Sequence, residues 1–524
     1  MTVTAEQSHK FAEDESTAEL PELLDCLPLD SLKKMGKQMK ISSSAKTRTT
    51  LTRALILSCS RQTILTAYFH KPRSQISDKP YLSARNTKES PSQLHLRKQI
   101  LKEIAGRCVR LRTELLEILD RLNIIFLRST SYDLSLFLPA LLNAFKKRLH
   151  ASPNYVRTGD VFPSRQIFLD FREALVLEAQ LSEILKGDPS SMNNLDEDLN
   201  KVAPNLRKAQ STKKILEVAY SSWKAIIPTE DPDVTRSLFD RFRYEHVLAR
   251  IMDRSSEALG TLKEYNFLVE ILESLLKQRR WGVGHRGAWY DRLALIYMTH
   301  MGNDVEVLTK AMEIVQCGLK DEETRSIYRP RLERRLVRLE NRLRIPINER
   351  HQVVRRLNNA KETFIGGSRI CDDSINSSLG TNRTKWKGKN GTVSVEEFVL
   401  EYYSNLGYKG YHTEGRILST IYGLLFWDII FSSIPGAFET PYQTAPLDIM
   451  DAMFYSERRD AIDARIIDIR NGNARELVSN VLEREGKKRP GCIGVYWTLE
   501  QDGILEIIEV MESLTLSLLQ LPAH

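Results

Sequence analysis

The sequence predicts a mainly α protein of more than one domain, and three observations carry that expectation. Apolar residues recur at spacings of three and four along most of the chain, the mark of helices with one buried face. Two polar stretches without periodicity, 71–96 and 360–394, divide it. A length of 524 residues at 42 % hydrophobic content supplies apolar surface for more than one core.

The first segment, 20–60, reads as a compact helical unit. Leu29, Leu32, Met35 and Met39 form one stripe, a turn follows over Ser42 to Ala45, and Leu51, Ala54 and Leu55 form a second. Lys33, Lys34, Lys37, Lys40, Lys46 and Arg48 surround the stripes, as they would on a solvated surface or a nucleic-acid-binding one. Residues 71–96, with Pro72, Pro80 and Pro91, read as a linker. Over 97–350 the helical pattern dominates after an extended stretch at 154–165. Leu177, Leu181, Ile184 and Leu185 make one face; Leu268, Ile271, Leu272, Leu275 and Leu276 make another. Successive faces of this kind imply stacked helix pairs. Residues 360–394 read as a second linker, in which Trp386 among Lys385, Lys387 and Lys389 either stacks on a base or anchors the segment.

From Gly410 to Phe431 the spacing predicts a single buried helix, built on Ile417, Ile421, Leu424, Leu425 and Ile429. Glu414 would lie in its first turn. There the positive helix end favours an ionised carboxylate by about 0.3–1 kcal/mol, whether for a cation or for charge–dipole work alone.

Composition narrows the classes. No apolar run reaches the roughly 18 residues of a membrane span, residues 1–17 carry no apolar signal core, and no membrane partner is expected. The six cysteines are scattered without a C-x-x-C pair, so no zinc or redox motif is implied and a reducing cytoplasm or nucleus is expected. The net charge of +8 suits a polyanionic partner. There is no H-E-x-x-H pair, no glycine-rich phosphate loop and no G-x-S-x-G elbow.

Residues 395–431, VEEFVLEYYSNLGYKGYHTEGRILSTIYGLLFWDIIF, followed by PGAFETPYQTAPLDIMDAMFYSERRDAIDAR, resemble the Fanconi-associated nucleases, DNA-repair enzymes with a VRR-type nuclease domain. The resemblance implies that 20–60 is a SAP-like DNA-binding module. It makes 97–350 a helical DNA-binding and tetratricopeptide-like region, and 395–512 the N-terminal helical part of an α/β restriction-endonuclease-like nuclease domain. It implies 5′-flap endonuclease and 5′–3′ exonuclease activity in interstrand cross-link repair, with Mg2+ or Mn2+, on 5′-flap or branched duplex DNA, in the nucleus. Glu414 matches the Glu of the family's H-x-E-G, a catalytic, metal-ligating carboxylate. HRGAWYDRLAL, His285 to Leu295, resembles a basic segment that helps hold a 5′ phosphate, with Arg286 and Arg292 on its arginines and Ala288 where the family can carry another. On the residues alone, Trp289 and Leu293 could instead pack the segment while Asp291 pairs an arginine. No N-terminal ubiquitin-binding zinc finger is visible, and a homodimer is left open.

The family's further metal-site residues, a Pro-Asp and a strand bearing Glu-x-Lys, have no counterpart after Glu414. Pro232-Asp233 precedes it, and Glu485-Gly-Lys487 sits in a charged stretch without an apolar strand. The expectation is therefore an incomplete nuclease domain over 395–512, an aberrant tail over 513–524, and a chain catalytically incomplete as it stands. Arg331, Arg334, Arg335, Arg338 and Arg342 share one stripe opposite Leu332, Leu336, Leu339 and Leu343, fit for tracking phosphates or for an ordinary solvated face. Three readings remain open: a DNA nuclease, a DNA-binding protein of the same family without catalysis, and a helical-repeat scaffold for proteins.

Overall fold

The computed structural model describes residues 12–14, 18–41, 47–61, 91–103, 109–130, 138–186 (152, 154, 156 and 160 excepted), 203–226, 236–352, 362–370, 385–389, 391–451 and 453–519. The chain divides into two compact units: Met1–Leu136 with Ala179–Ile215, and Phe137–Glu178 with Leu216–His524. Among the described residues no helix is long and apolar enough to cross a membrane.

In the first unit, helices α1 (Leu20–Asp25), α2 (Leu29–Gln38), α3 (Arg48–Arg61) and α4 (Pro91–Glu103) share one core. The stripe residues Leu32, Met35, Leu51 and Leu55 are buried in it with Leu24, Leu27, Leu96 and Ile100. A capping box starts α1, the Glu22 carboxylate accepting from Glu19 N at 3.2 Å. Lys33, Lys34, Lys37 and Lys40 stay exposed. The expected turn at 42–45 lies outside the described residues, as do 71–90 of the expected linker. Residues 91–96 belong to α4, because Leu96 supplies apolar contact that a linker would lack. Strands β1 (Ala12–Asp14) and β2 (Val109–Leu111) pair antiparallel. Helix α5 (Thr113–Leu127) follows them.

Helix α6 (Leu138–Ala144) belongs to the second unit; α7 (Arg165–Lys186) and α8 (Pro204–Ile226) are each divided between the two. In the second unit α9 (Tyr244–Thr261), α10 (Tyr265–Lys277), α11 (Arg286–His300), α12 (Val305–Lys320) and α13 (Arg329–Arg342) each pack on the next. Leu268, Ile271, Leu272 and Leu275 of α10 are buried, as their spacing predicts. The second expected linker is partly a sheet: β3 (Arg369–Ile370), β4 (Lys385–Gly388) and β5 (Gly391–Val393) run antiparallel in that order. Trp386 holds it to α14 (Val395–Asn405), its ring 5.7 Å from that of Phe398, so the tryptophan anchors.

Beyond α14 come α15 (Arg416–Leu425), α16 (Trp427–Ile430), α17 (Met453–Ser456), α18 (Arg459–Arg470), α19 (Ala474–Glu485) and α20 (Gln501–Leu519). Ile417, Ile421, Leu424, Val478, Val481, Ile504 and Ile508 form a core shared by α15, α19 and α20, and Ile429, Ile430, Phe454 and Ile462 form another shared by α16, α17 and α18. The single helix expected over 410–431 is broken at Phe426 (φ −105°, ψ 17°). Helix α20 continues to Leu519, seven residues into the stretch read as a tail.

Candidate functional site

Glu414 is exposed and stands before α15 rather than in its first turn. Its φ is +45° and that of Gly415 is +84°, so two successive residues are left-handed and the chain cannot yet be helical. Gly415 adopts this geometry without a Cβ penalty; Glu414 carries it with one. The turn closes with Arg416 N donating to Thr413 O at 2.8 Å. The Arg416 guanidinium lies 5.4 Å from the Tyr496 ring centroid. Tyr496 N donates to Thr420 Oγ1 at 3.1 Å, which fixes this segment along α15.

The residues that follow Glu414 in the recognised pattern are tied together by buried polar contacts. Asp448 and Arg458 form an ion pair at 2.6 Å with side chains 0 % and 1 % exposed. Arg458 Nε also donates to Ile429 O and Ser432 Oγ, both at 3.2 Å, while Nη1 donates to Phe454 O at 3.3 Å. Arg465 donates to Leu425 O. Arg465 thus reaches a carbonyl at the end of α15, beside the break at Phe426, and Arg458 reaches one at the end of α16 that Ser432 N also meets at 3.3 Å. Glu439, also buried, accepts from the Thr158 hydroxyl, and Gln443 Oε1 accepts from Glu439 N at 2.7 Å. Sequence reading placed these residues in a family pattern but missed their work; the signal available was two arginines shortly after an apolar helix.

The segment His285–Leu295 is likewise structural at its centre. Arg286, expected at a phosphate, is 2 % exposed. Its Nε donates to Asp321 Oδ2 at 2.7 Å and its Nη1 to the carbonyls of Leu276 and Gln278 at 3.1 and 2.6 Å. Burial by itself would raise the Asp321 carboxyl; the Arg286 bond and charge, with help from Glu323 N and Tyr290, hold it below the usual range. A phosphate has no open guanidinium to meet at Arg286. Arg292, the other expected contact, is half-buried, with Nη2 3.4 Å from Ser256 O and Nη1 3.9 Å from Glu257. Trp289 Nε1 donates to Asp253 Oδ1 at 2.6 Å, and Asp291 takes Arg335 at 2.7 Å and Arg331 at 3.7 Å.

What this segment does show to solvent is His285, missed on sequence. Its Nδ1 lies 3.2 Å from Asp253 Oδ2, and that bond raises the imidazole above its ordinary pKa against the opposing effects of burial and Arg325. On the arginine stripe, Arg335 is turned inward to Asp291, while the exposed Arg342 donates to Met298 O (3.2 Å); Arg334 and Arg338 are exposed and without an ion pair among the described residues.

A divalent cation that must activate water needs several hard oxygen ligands. Among the described residues no group of three or more His, Cys, Asp or Glu is placed to hold one. Glu414 offers a single exposed carboxylate, so the described residues do not by themselves fit the Mg2+ or Mn2+ expected.

The family model for the Fanconi-associated nuclease 1 TPR domain matches residues 190–340. The Fanconi-associated nuclease 1 homolog of Schizosaccharomyces pombe is 32 % identical over 511 residues, covering 95 % of this chain and 69 % of the relative. That of Arabidopsis thaliana is 29 % identical over 403 residues, 76 % of this chain and 40 % of the relative, so the chain spans well under the full length of such proteins. A crystal structure of paFAN1 bound to 2-nucleotide 5′-flap DNA with a gap has a similar fold, with TM-score 0.52 and 16 % identity over 98 % of this chain and 75 % of that one. On the extent of its similarity to the S. pombe protein, and with a matching mainly helical fold, this chain belongs to the Fanconi-associated nuclease family.

Proposed function

We propose that the chain serves structure-specific DNA nuclease activity, as a 5′-flap endonuclease and 5′–3′ exonuclease in interstrand cross-link repair in the nucleus. The observation that carries the reading is Glu414, held out of its helix by two left-handed residues, with the buried Asp448–Arg458 pair later in the same pattern holding the end of α16. Family membership supplies the reaction class, and flap DNA is the ligand in the related paFAN1 complex. Residues 20–60 act as the SAP-like module and 97–350 as the duplex-holding array in this reading. Mg2+ or Mn2+ would neutralise charge at the scissile phosphate, with Glu414 as one of its ligands.

Among the described residues no group of three ligands forms with Glu414, which favours a narrower statement about residues 1–524: they hold the DNA, and cleavage needs acidic ligands besides Glu414. Purified residues 1–524 should bind a 5′-flap duplex yet leave it uncut with Mg2+ or Mn2+. Metal-dependent incision that vanishes in Glu414→Gln would overturn the second half by showing that the ligands lie within 1–524. Failure to bind flap DNA at all would overturn the first half and favour a protein-binding scaffold.

A further inference from the structure

The sheet β3–β4–β5 has two faces of different kind. Register places Arg369, Trp386 and Val393 opposite one another on one face, the side on which Trp386 meets Phe398 of α14. Ile370, Lys385, Lys387 and Thr392 share the other. Along β4 the pattern alternates exposed and half-buried, with Lys385 and Lys387 exposed, and Lys389 continues the exposed row into the turn. Lys389 N donates to Glu401 Oε2 at 3.0 Å, which ties that turn to α14. The three strands carry no carboxylate. The outer face is thus a short basic row on a fixed platform, with Thr392 beside it.

The spacing of that row matters. Alternate residues on a strand repeat at about 6.6 Å; phosphates of one DNA strand rise roughly 3.4 Å each along the axis and wind round it as well, so neighbouring phosphates stand farther apart than the rise. Cations repeated so can follow successive phosphates, and lysines do this without reading base edges. We infer that the outer face of this sheet, through Lys385, Lys387 and Lys389, is a contact surface for the sugar–phosphate backbone of duplex DNA. This rests on the DNA-binding reading above and adds a location to it.

The test uses the full chain with Lys385→Gln, Lys387→Gln and Lys389→Gln together, and a 5′-flap duplex titrated from 50 to 200 mM salt. Losing three phosphate contacts should flatten the slope of log affinity against log salt by about 2.7, so that over this fourfold range the variant loses about 40-fold less affinity than the parent. The thermal midpoint should not move, since the lysines face away from the Trp386–Phe398 contact. Arginine at the same three positions should restore the slope, and two flaps of equal geometry but different sequence should respond alike. A parent that binds steeply beside a glutamine variant of equal slope and affinity would overturn this surface alone and leave an acidic protein as its occupant. A parent with no salt-dependent binding would remove the DNA reading, and this surface with it.

Discussion

Arg286 meets Asp321 at 2.7 Å where water scarcely reaches, and that decides what substitution there will do. Removing one partner of a buried pair leaves the other charge unpaired, at a cost of about 3–5 kcal/mol. Arg286→Ala should therefore move the urea midpoint sharply downward. Any loss of flap binding should be the same for 5′-phosphorylated and unphosphorylated DNA. Normal stability with a loss confined to the phosphorylated flap would return this arginine to a phosphate. At this scale the sequence indicates a basic segment but not the partners its arginines take. Arg286 and Asp321 lie 35 residues apart, and no local pattern announces such a pair. Glu414 stands two residues ahead of α15 because the left-handed geometry of a Glu-Gly pair overrides the apolar periodicity that follows it.

Helix α11 owes its place to an approach that only glycine allows. A Cβ on Gly287 would come within 2.6 Å of the Tyr328 Cβ, so the residue after Arg286 is fixed by packing just before α13. Gly287→Ala should destabilise by about 1–3 kcal/mol through forced repacking, read as a lower thermal midpoint with the helical circular dichroism retained. On α9, His246 lies against Trp281 and near Arg241, Arg250, Asp240 and Asp451; desolvation, then Arg250, pushes its pKa down to about 4. The unfolded imidazole takes its proton near 6.5 and the folded one only near 4. Within that window the unfolded state binds more protons, so stability falls as pH falls, by up to about 1.4 kcal/mol per pH unit. His246→Gln should flatten this slope between pH 6.5 and 4 in urea unfolding; an unchanged slope would assign the acid sensitivity to other groups.

Exposed cations occur in both compact units: Lys33, Lys34, Lys37 and Lys40 on α2 in the first, and Arg334 and Arg338 on α13 with the lysine row of β4 in the second. The pairs Lys33–Asp30 and Lys34–Glu103, at 3.4 and 3.3 Å, are exposed and weak, so they would yield readily to phosphate. With about six phosphates engaged, affinity for a flap duplex should fall about 1,000-fold between 50 and 200 mM salt. A fall of tenfold or less in fluorescence anisotropy would mean that one or two cations at most take part.

The sequence by itself determined the helical architecture and the family. Burial at every third and fourth position is a local pattern, readable at Leu32 and Met35, at Leu268 to Leu275 and at Ile417 to Leu425, and the run from Val395 to Arg465 carries the kinship in its order of residues. Only the tertiary structure decided that residues 369–393 contain a sheet, since strands of two to four residues are too short to show an alternation. It also decided which charges face inward. Arg286, Arg335 and Arg458 look on paper like Arg334 and Arg338, yet the first three are drawn to Asp321, Asp291 and Asp448 by contacts that form only when the fold closes around them. Burial makes such a pair necessary, because a lone charge in the interior would cost several kcal/mol, and burial is a property of the fold that a linear spacing does not encode.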